Sequence, residues 1–136
     1  MVQNLDFAQT FLEAAGISAP SDMQGESLIP LFKGQTEDFR EAVYYHYYEY
    51  PSVHMVKRHY GIVTEDYKLV HFYYDVDEWE LYDRKKDTYE LLNVYDDPAY
   101  AAIVKKLHAQ LTEMRVKYKD SKRLDDFYIQ KYLEKK

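Results

Sequence analysis

The sequence has no cysteine at all. Disulfide staples, thiolate nucleophiles and cysteine-ligated zinc are therefore excluded within its 136 residues. Glycine and proline number only four each, and no repeat or low-complexity segment occurs. Long apolar runs are missing too: none approaches the ~18 residues needed to span a bilayer. The N-terminal MVQNLDFAQTF lacks the basic region and apolar core of a secretory leader. The expectation is a soluble chain with no visible address and no membrane partner. Positive charge is in deficit, with a formal net charge of −6. That argues against nucleic acid as a partner, because phosphate backbones attract basic surfaces. Serine is scarce as well: Ser18, Ser21, Ser27, Ser52 and Ser121 are the full set, and none lies between glycines as a nucleophile elbow requires.

What the chain does have is tyrosine, 16 of them, in an aromatic content of 17%. A tyrosine packs its ring and keeps its hydroxyl near water, which suits half-buried strands and broad interfaces. The length fits one domain with one core. Charge is unevenly spread: lysine and arginine outnumber acids after residue 104, and acids dominate before it. The basic end reads as a solvated helix face or as a tail complementing an acidic surface.

Hydrophobic periodicity then places the elements. Asn4 followed by LDFAQTFLEAAG predicts a capped helix with Asp6 in its first turn, Leu5, Ala8, Phe11, Leu12 and Ala15 forming one apolar face, and Gly16 ending it. So one-faced a helix needs a surface to lie against. SLIPLFKG predicts a further helical turn. AVYYHYYEY, residues 42–50, has strand composition and is closed by Pro51. Residues 59–64 and 67–74 flank a turn at Glu65-Asp66, a predicted antiparallel hairpin, and EWELY at 78–82 predicts another strand. On the second hairpin strand both faces are mostly apolar, which predicts a central position. Asp97 caps a long helix with Pro98 at its first position, and Tyr100, Ile103, Leu107, Leu111, Met114 and Tyr118 step by three and four. After Asp120 a weaker helical spacing runs through Leu124, Phe127, Tyr128 and Leu133.

The acidic pairs Asp96-Asp97 and Asp125-Asp126 suit a helix cap and a charged tail, so no metal site is assigned to this chain. The candidate ligand residues are His54, Lys57, Arg58 and His59, clustered between the Pro51 break and the following strand. Loops held by a rigid sheet are favoured places for ligand contacts. Arginine offers a planar fork for sulfate, phosphate or carboxylate, and a neutral histidine can donate to a sugar hydroxyl. The alternative is a wet sheet edge without a ligand. His46, His71 and His108 fit packed or solvated positions.

The order of the motifs carries further information. NLDFAQTFLEAAGI, DMQGESLIPLFKG, REAVYYHYYEYP, RHYGIVTEDYKLVHFYYD and EWELYDRKKDTYELLNVYDDPAYA together resemble the carboxy-terminal part of a formylglycine-dependent sulfatase, within the alkaline-phosphatase-like superfamily. The EYP-x-x-H-x-V-x-x-x-YG pattern is most similar to carbohydrate sulfatases of the N-acetylglucosamine-6-sulfatase branch. The resemblance covers residues 4 to about 118. It implies an α+β fold, an antiparallel sheet of about four strands packed by a long C-terminal helix. It implies three segments: 1–36 as the last helices of a catalytic domain, 37–119 as the C-terminal subdomain, and 120–136 as a charged tail without counterpart.

The resemblance also implies a division of labour. In the family the large amino-terminal domain carries the formylglycine, made within a C/S-x-P-S/A-x-R signature, and the calcium ligands. Here Ser18-Ala19-Pro20-Ser21 matches four positions, but Met23 stands where arginine belongs. Calcium and formylglycine are thus expected in the complete enzyme and neither in this chain, which is expected to lack a catalytic centre. The loop with His54, Lys57, Arg58 and His59 is the implied contact with a sulfated carbohydrate. A separate catalytic-domain chain is an implied partner through the Leu5–Ala15 face. Complete family members are expected in periplasmic, secreted or lysosomal settings. Two other readings stand beside this one: a non-catalytic sulfated-glycan-binding module, and a truncated product without independent function. Val63, Asp66 and Thr88 depart from the family pattern around the hairpin and the turn after EWELYD.

Overall fold

Ile62, Leu69 and Leu81 are the apolar centre of a four-stranded sheet, each fully shielded from water. They sit in one cross-strand row because the register pairs Ile62 with Leu69 and Leu69 with Leu81. The computed structural model describes residues 1–37 and 39–133, and these form two compact units, Met1–Val43 and Tyr44–Lys136. The strands are β1 (Ala42–Tyr47), β2 (His59–Thr64), β3 (Tyr67–Phe72) and β4 (Glu78–Asp83), in the order β1-β2-β3-β4. The β2/β3 and β3/β4 pairings are antiparallel. The fold is the expected α+β arrangement, an antiparallel sheet backed by a long helix.

Strand β3 is central, as its two apolar faces predicted: Leu69 is 0% and Val70 3% exposed although they point to opposite sides. It ends at Phe72, two residues short of the expected Tyr74. Tyr74 adopts a left-handed backbone, φ 69°, and Asp75 N–H closes a tight turn on the Tyr73 carbonyl at 2.9 Å. The outer edge of β4 is not left open. Leu81 N–H donates to Asn93 Oδ1 at 3.0 Å, and Leu81 C=O accepts from Val94 N–H at 2.9 Å. A covered edge offers no template for pairing with another chain.

Asp97 caps a short 3₁₀ turn, Pro98–Tyr100, by accepting from Ala99 N–H at 2.9 Å, and helix α3 in this unit, Ala101–Lys117, continues from it. Its Leu107 and Leu111 are each 2% exposed, and the helix packs on β2 and β3. Burying a leucine side chain contributes about 2 kcal/mol, so this stripe is what pins helix to sheet. A further helix, α4 (Lys122–Leu133), follows a bend at Asp120. Its inward face is Asp125, Tyr128 and Ile129, whereas Phe127 is 57% exposed. Residues 134–136 of the expected charged tail lie outside the described residues, as does Asp38.

In the smaller unit, α1 spans Asp6–Ala14 and α2 spans Ile29–Phe32. The expected Asn4 cap is not formed: Leu5 holds the cap position and no side chain serves there. Instead the Asp6 carboxylate accepts from Gln3 N–H at 2.7 Å, from Glu26 N–H at 2.9 Å, and from both terminal nitrogens of Arg40 at 2.9 and 2.8 Å. This buried pair decides which side of α1 faces inward. Asp6, Gln9 and Thr10 are buried, while Leu5, Phe7 and Phe11 are 49%, 52% and 71% exposed. The apolar face that the spacing predicted is present and is turned outward.

Candidate functional site

Four basic residues singled out by the sequence lie in or beside the β1–β2 loop, and the structure gives them different tasks. Arg58 is fully buried. Its Nη1 donates to Asp75 Oδ2 at 2.6 Å, its Nη2 donates to the Tyr50 carbonyl, and its guanidinium lies 5.4 Å from the Tyr74 ring. One planar fork thus ties both ends of the loop to the turn after β3. His59 opens β2, where its Nδ1–H donates to Lys57 C=O at 2.8 Å and its ring stacks on Tyr47. Lys57 is half-buried and donates to the Tyr50 hydroxyl at 2.9 Å, above the same ring. His54 is exposed near the loop tip with Val53, Met55 and Val56 around it. The latch is therefore Arg58 with His59, and the reachable groups are His54 and Lys57.

A second constellation lies on the sheet face that carries α3. The register aligns Tyr60, His71 and Trp79 across β2, β3 and β4, and the His71 ring stacks on Trp79 at 4.1 Å. Two histidines on this face are each held between a carboxylate and a phenol. His46 reaches Asp120 Oδ2 through Nδ1 at 2.8 Å and the Tyr73 hydroxyl through Nε2 at 2.6 Å. His71 reaches Asp77 Oδ1 through Nε2 at 2.8 Å and the Tyr60 hydroxyl through Nδ1 at 2.9 Å. Tyr60 and Tyr73 are neighbours, 5.6 Å between ring centroids, at the floor of a cleft of ≈ 520 Å³. Tyr74 and Asp77 form one rim and α4 the other.

Arg115 of α3 completes the charge balance. It lies 4.0 Å from the Tyr60 ring centroid, donates to both oxygens of Asp125 at 3.1 and 2.9 Å, and approaches Asp120 at 3.4 Å. Burial would push the Asp120 carboxyl up. Hydrogen bonds from His46 and Tyr44 and the charge of Arg115 outweigh it and hold the group at about 2. Burial, reinforced by Asp125, pushes the Tyr73 phenol well above its ordinary value, and burial raises Tyr60 as well, so both stay protonated. Among the described residues, His46, Asp120 and Asp125 are the one trio near enough to share a metal ion. They do not fit calcium, the ion the resemblance implies for a complete enzyme. Calcium takes six to eight oxygens, whereas here the guanidinium of Arg115 already bridges the two carboxylates.

His46 and His71, read from the sequence as packed or solvated, are thus the centre of this second site. Both alternate with tyrosines at a period of two, in Tyr44-His46-Tyr48 and His71-Tyr73, which puts ring next to ring on one face of a sheet. Nothing local marks Asp120 as the partner of His46: the two lie 74 residues apart.

The chain matches the family model described as N-sulphoglucosamine sulphohydrolase, C-terminal, over residues 1–117. It is 52% identical over 121 residues to the N-acetylglucosamine-6-O-sulfatase of Bacteroides thetaiotaomicron, covering 87% of this chain and 22% of that protein. It is 31% identical over 125 residues to the Delta 4,5-hexuronate-2-O-sulfatase of the same organism, covering 88% of this chain and 24% of that protein. The fold is similar to the solved structure of BT4656 in complex with its substrate D-glucosamine-2-N,6-O-disulfate, with a TM-score of 0.82 and 52% identity, covering 86% of this chain and 24% of that one. It is also similar to BT1596, a 2-O GAG sulfatase, at a TM-score of 0.74 and 30% identity, with 87% and 25% covered. The chain spans under a quarter of the length of these two curated relatives.

Proposed function

Since the chain belongs to the N-sulphoglucosamine sulphohydrolase C-terminal family, we propose that it forms the C-terminal wall of the substrate cleft in a sulfatase acting on sulfated carbohydrate. The 52% identity to an N-acetylglucosamine-6-O-sulfatase supports a sulfated glucosamine unit as the substrate. In this reading residues 1–36 are the last helices of the catalytic domain, 37–119 the C-terminal subdomain and 120–136 an appended tail.

The observation that carries the reading is the build of the β1–β2 loop. A fully buried arginine, bonded to Asp75 and to the Tyr50 carbonyl, fixes a tip at which His54 is exposed and Lys57 half-buried. Of the four candidates, His54 and Lys57 touch the sugar or its sulfate, and Arg58 and His59 position them. Formylglycine would supply the nucleophile and calcium the charge stabilisation in a complete enzyme. Both belong to the catalytic domain, and no side chain of this loop replaces them. The outward face of α1, with Phe7 and Phe11 more than half exposed, is the surface a catalytic domain would cover.

Co-expression with the catalytic domain of a sulfatase of this family tests the reading. The two should co-purify and hydrolyse a 6-O-sulfated glucosamine substrate. Phe11→Asp should abolish co-purification. His54→Ala should leave the pair intact and raise KM about tenfold, the scale of one lost polar contact. Chains that elute separately would sink the proposal. Salt-sensitive retention of the isolated chain on heparin, lost in His54→Ala/Lys57→Ala, would favour the glycan-binding module instead.

A further inference from the structure

We propose that His108 is an acid-sensitive latch on the segment that covers the edge of β4, residues 93–95, and that its protonation frees that segment. The segment is a short strap. On the strand side it is held by Leu81 N–H donating to Asn93 Oδ1 at 3.0 Å, Asn93 Nδ2 donating to Trp79 C=O at 3.2 Å, and Val94 N–H donating to Leu81 C=O at 2.9 Å. Among the described residues, its one hydrogen bond to α3 joins the Tyr95 hydroxyl to His108 Nε2 at 3.0 Å. Leu91 and Leu92, just before it, are 83% and 64% exposed, so little apolar burial backs it. Segments held in this way open at low free energy while the rest of a domain stays folded.

Four rings meet at the latch. Trp79 of β4 lies 4.1 Å from the His71 ring of β3, 4.2 Å from the His108 ring of α3 and 6.0 Å from the Tyr95 ring, centroid to centroid. The three histidines on this sheet face differ in one respect. His46 and His71 each bond a carboxylate, Asp120 and Asp77. Among the described residues, the His108 ring bonds the Tyr95 phenol and no carboxylate. The charges around it give no counter-ion. Asp77 serves His71, Lys105 one turn away on α3 is another cation, and so is Arg115 further along that helix. Asp125 and Asp126 of α4 are paired with Arg115 and Lys122, and Asp96 beside Tyr95 is exposed to water, which screens it.

Burial, and after it the charge of His71, hold the His108 imidazole below its ordinary value of 6.5. A folded value below the unfolded one means that the closed strap excludes the proton. Its contribution is intact above 6.5 and is lost as pH falls from there through the lower folded value. In the neutral ring Nε2 accepts the phenol hydrogen while Nδ1 carries the N–H. An imidazolium has no lone pair left, so the phenol must turn its hydrogen away. Release of the strap uncovers the Leu81 backbone groups, an unpaired strand edge of the kind that pairs with another chain. Leu107 and Leu111 keep α3 on the sheet throughout, so the event is local and the unfolding midpoint barely moves. Every group in the device lies in this chain, and no catalytic domain is needed for it to work.

The parent chain is followed from about pH 8 to about pH 5, across the histidine range, by NMR titration of the His108 imidazole and by amide hydrogen exchange at Val94, corrected for the intrinsic rate. His108 should titrate below 6.5, and Val94 should lose protection about fivefold with the same midpoint. The amides of Leu107 and Leu111 should keep theirs. His108→Gln should hold Val94 protection level over the whole range. Tyr95→Phe, which removes the bond and keeps the ring, should lower Val94 protection already at the alkaline end. The two parent-chain probes decide the matter even if a variant misfolds. His108 titrating above 6.5, Val94 protection that ignores pH, a loss that persists in folded His108→Gln, or a parallel loss at Leu107 would each overturn the proposal.

Discussion

Arg58 shows how one residue type in one pattern can be read for its charge and then be used for its geometry. In sequence it stands beside Lys57 and His59, and the three look like equivalent cations. Folded, it is the one with no exposure, and its two bonds hold the loop to the turn after β3. Lysine keeps the charge but cannot reach an aspartate and a carbonyl at once with a planar fork. Arg58→Lys is expected to lose about 2–4 kcal/mol in urea unfolding, and an unchanged midpoint would show that the latch contributes nothing. Gly61 is constrained for a different reason. A Cβ there would lie 2.4 Å from the Leu69 carbonyl oxygen and 2.7 Å from the Tyr45 hydroxyl. Gly61→Ala should therefore lower the unfolding free energy by about 1–3 kcal/mol, whereas Gly34→Ala meets no neighbour and suffers only its positive φ.

Among the elements, α1 and α3 differ in how their spacing translates into packing. For α3 the stripe of Tyr100, Leu107 and Leu111 is what the sheet covers, and Asp97 caps as its sequence context predicts. Asp97→Ala should cost about 1 kcal/mol, measured by thermal unfolding. For α1 the inward groups are polar. Thr10 Oγ1 donates to Asp6 C=O at 2.7 Å and accepts from Leu28 N–H at 2.9 Å, joining helix to the segment before α2. Thr10→Ala leaves the buried Leu28 N–H without its acceptor and should cost about 1–3 kcal/mol. Valine at the same position should be no better, since shape is kept and the hydrogen bond is lost. Outward exposure of Leu5, Phe7 and Phe11 follows from that polar anchoring, because a helix cannot turn both faces inward.

At the scale of the whole molecule the buried carboxylates set the response to acid. Burial alone would push Asp6 up. The Arg40 guanidinium and the Glu26 and Gln3 amides outweigh it and hold the carboxyl at about 2, as the His46 network does for Asp120. A folded value below the unfolded one, about 3.9, stabilises the fold above that unfolded value. The contribution, about 2 kcal/mol from each group, is lost as pH falls from about 4 through about 2. Unfolding midpoints should therefore stay level from pH 7 to about 5 and drop steeply below 4. Asp120→Asn should flatten part of that drop, and a midpoint unchanged at pH 2 would contradict the buried networks.

Strand, hairpin and cap were readable from the chain alone because each depends on neighbours within a few residues: the aromatic and β-branched content of AVYYHYYEY, the Glu65-Asp66 turn, the Asp97-Pro98 start. Motif order likewise placed the chain in its family. The tertiary structure alone decided which basic residue is a latch and which is reachable, which face of α1 turns inward, and that His46 and His71 are each held between a carboxylate and a tyrosine hydroxyl on one sheet face. Those outcomes rest on partners such as Asp120 for His46, Asp75 for Arg58 and Arg40 for Asp6, 74, 17 and 34 residues away. A hydrogen bond across such distances is fixed by how sheet and helices pack, and that packing leaves no periodic mark on the sequence.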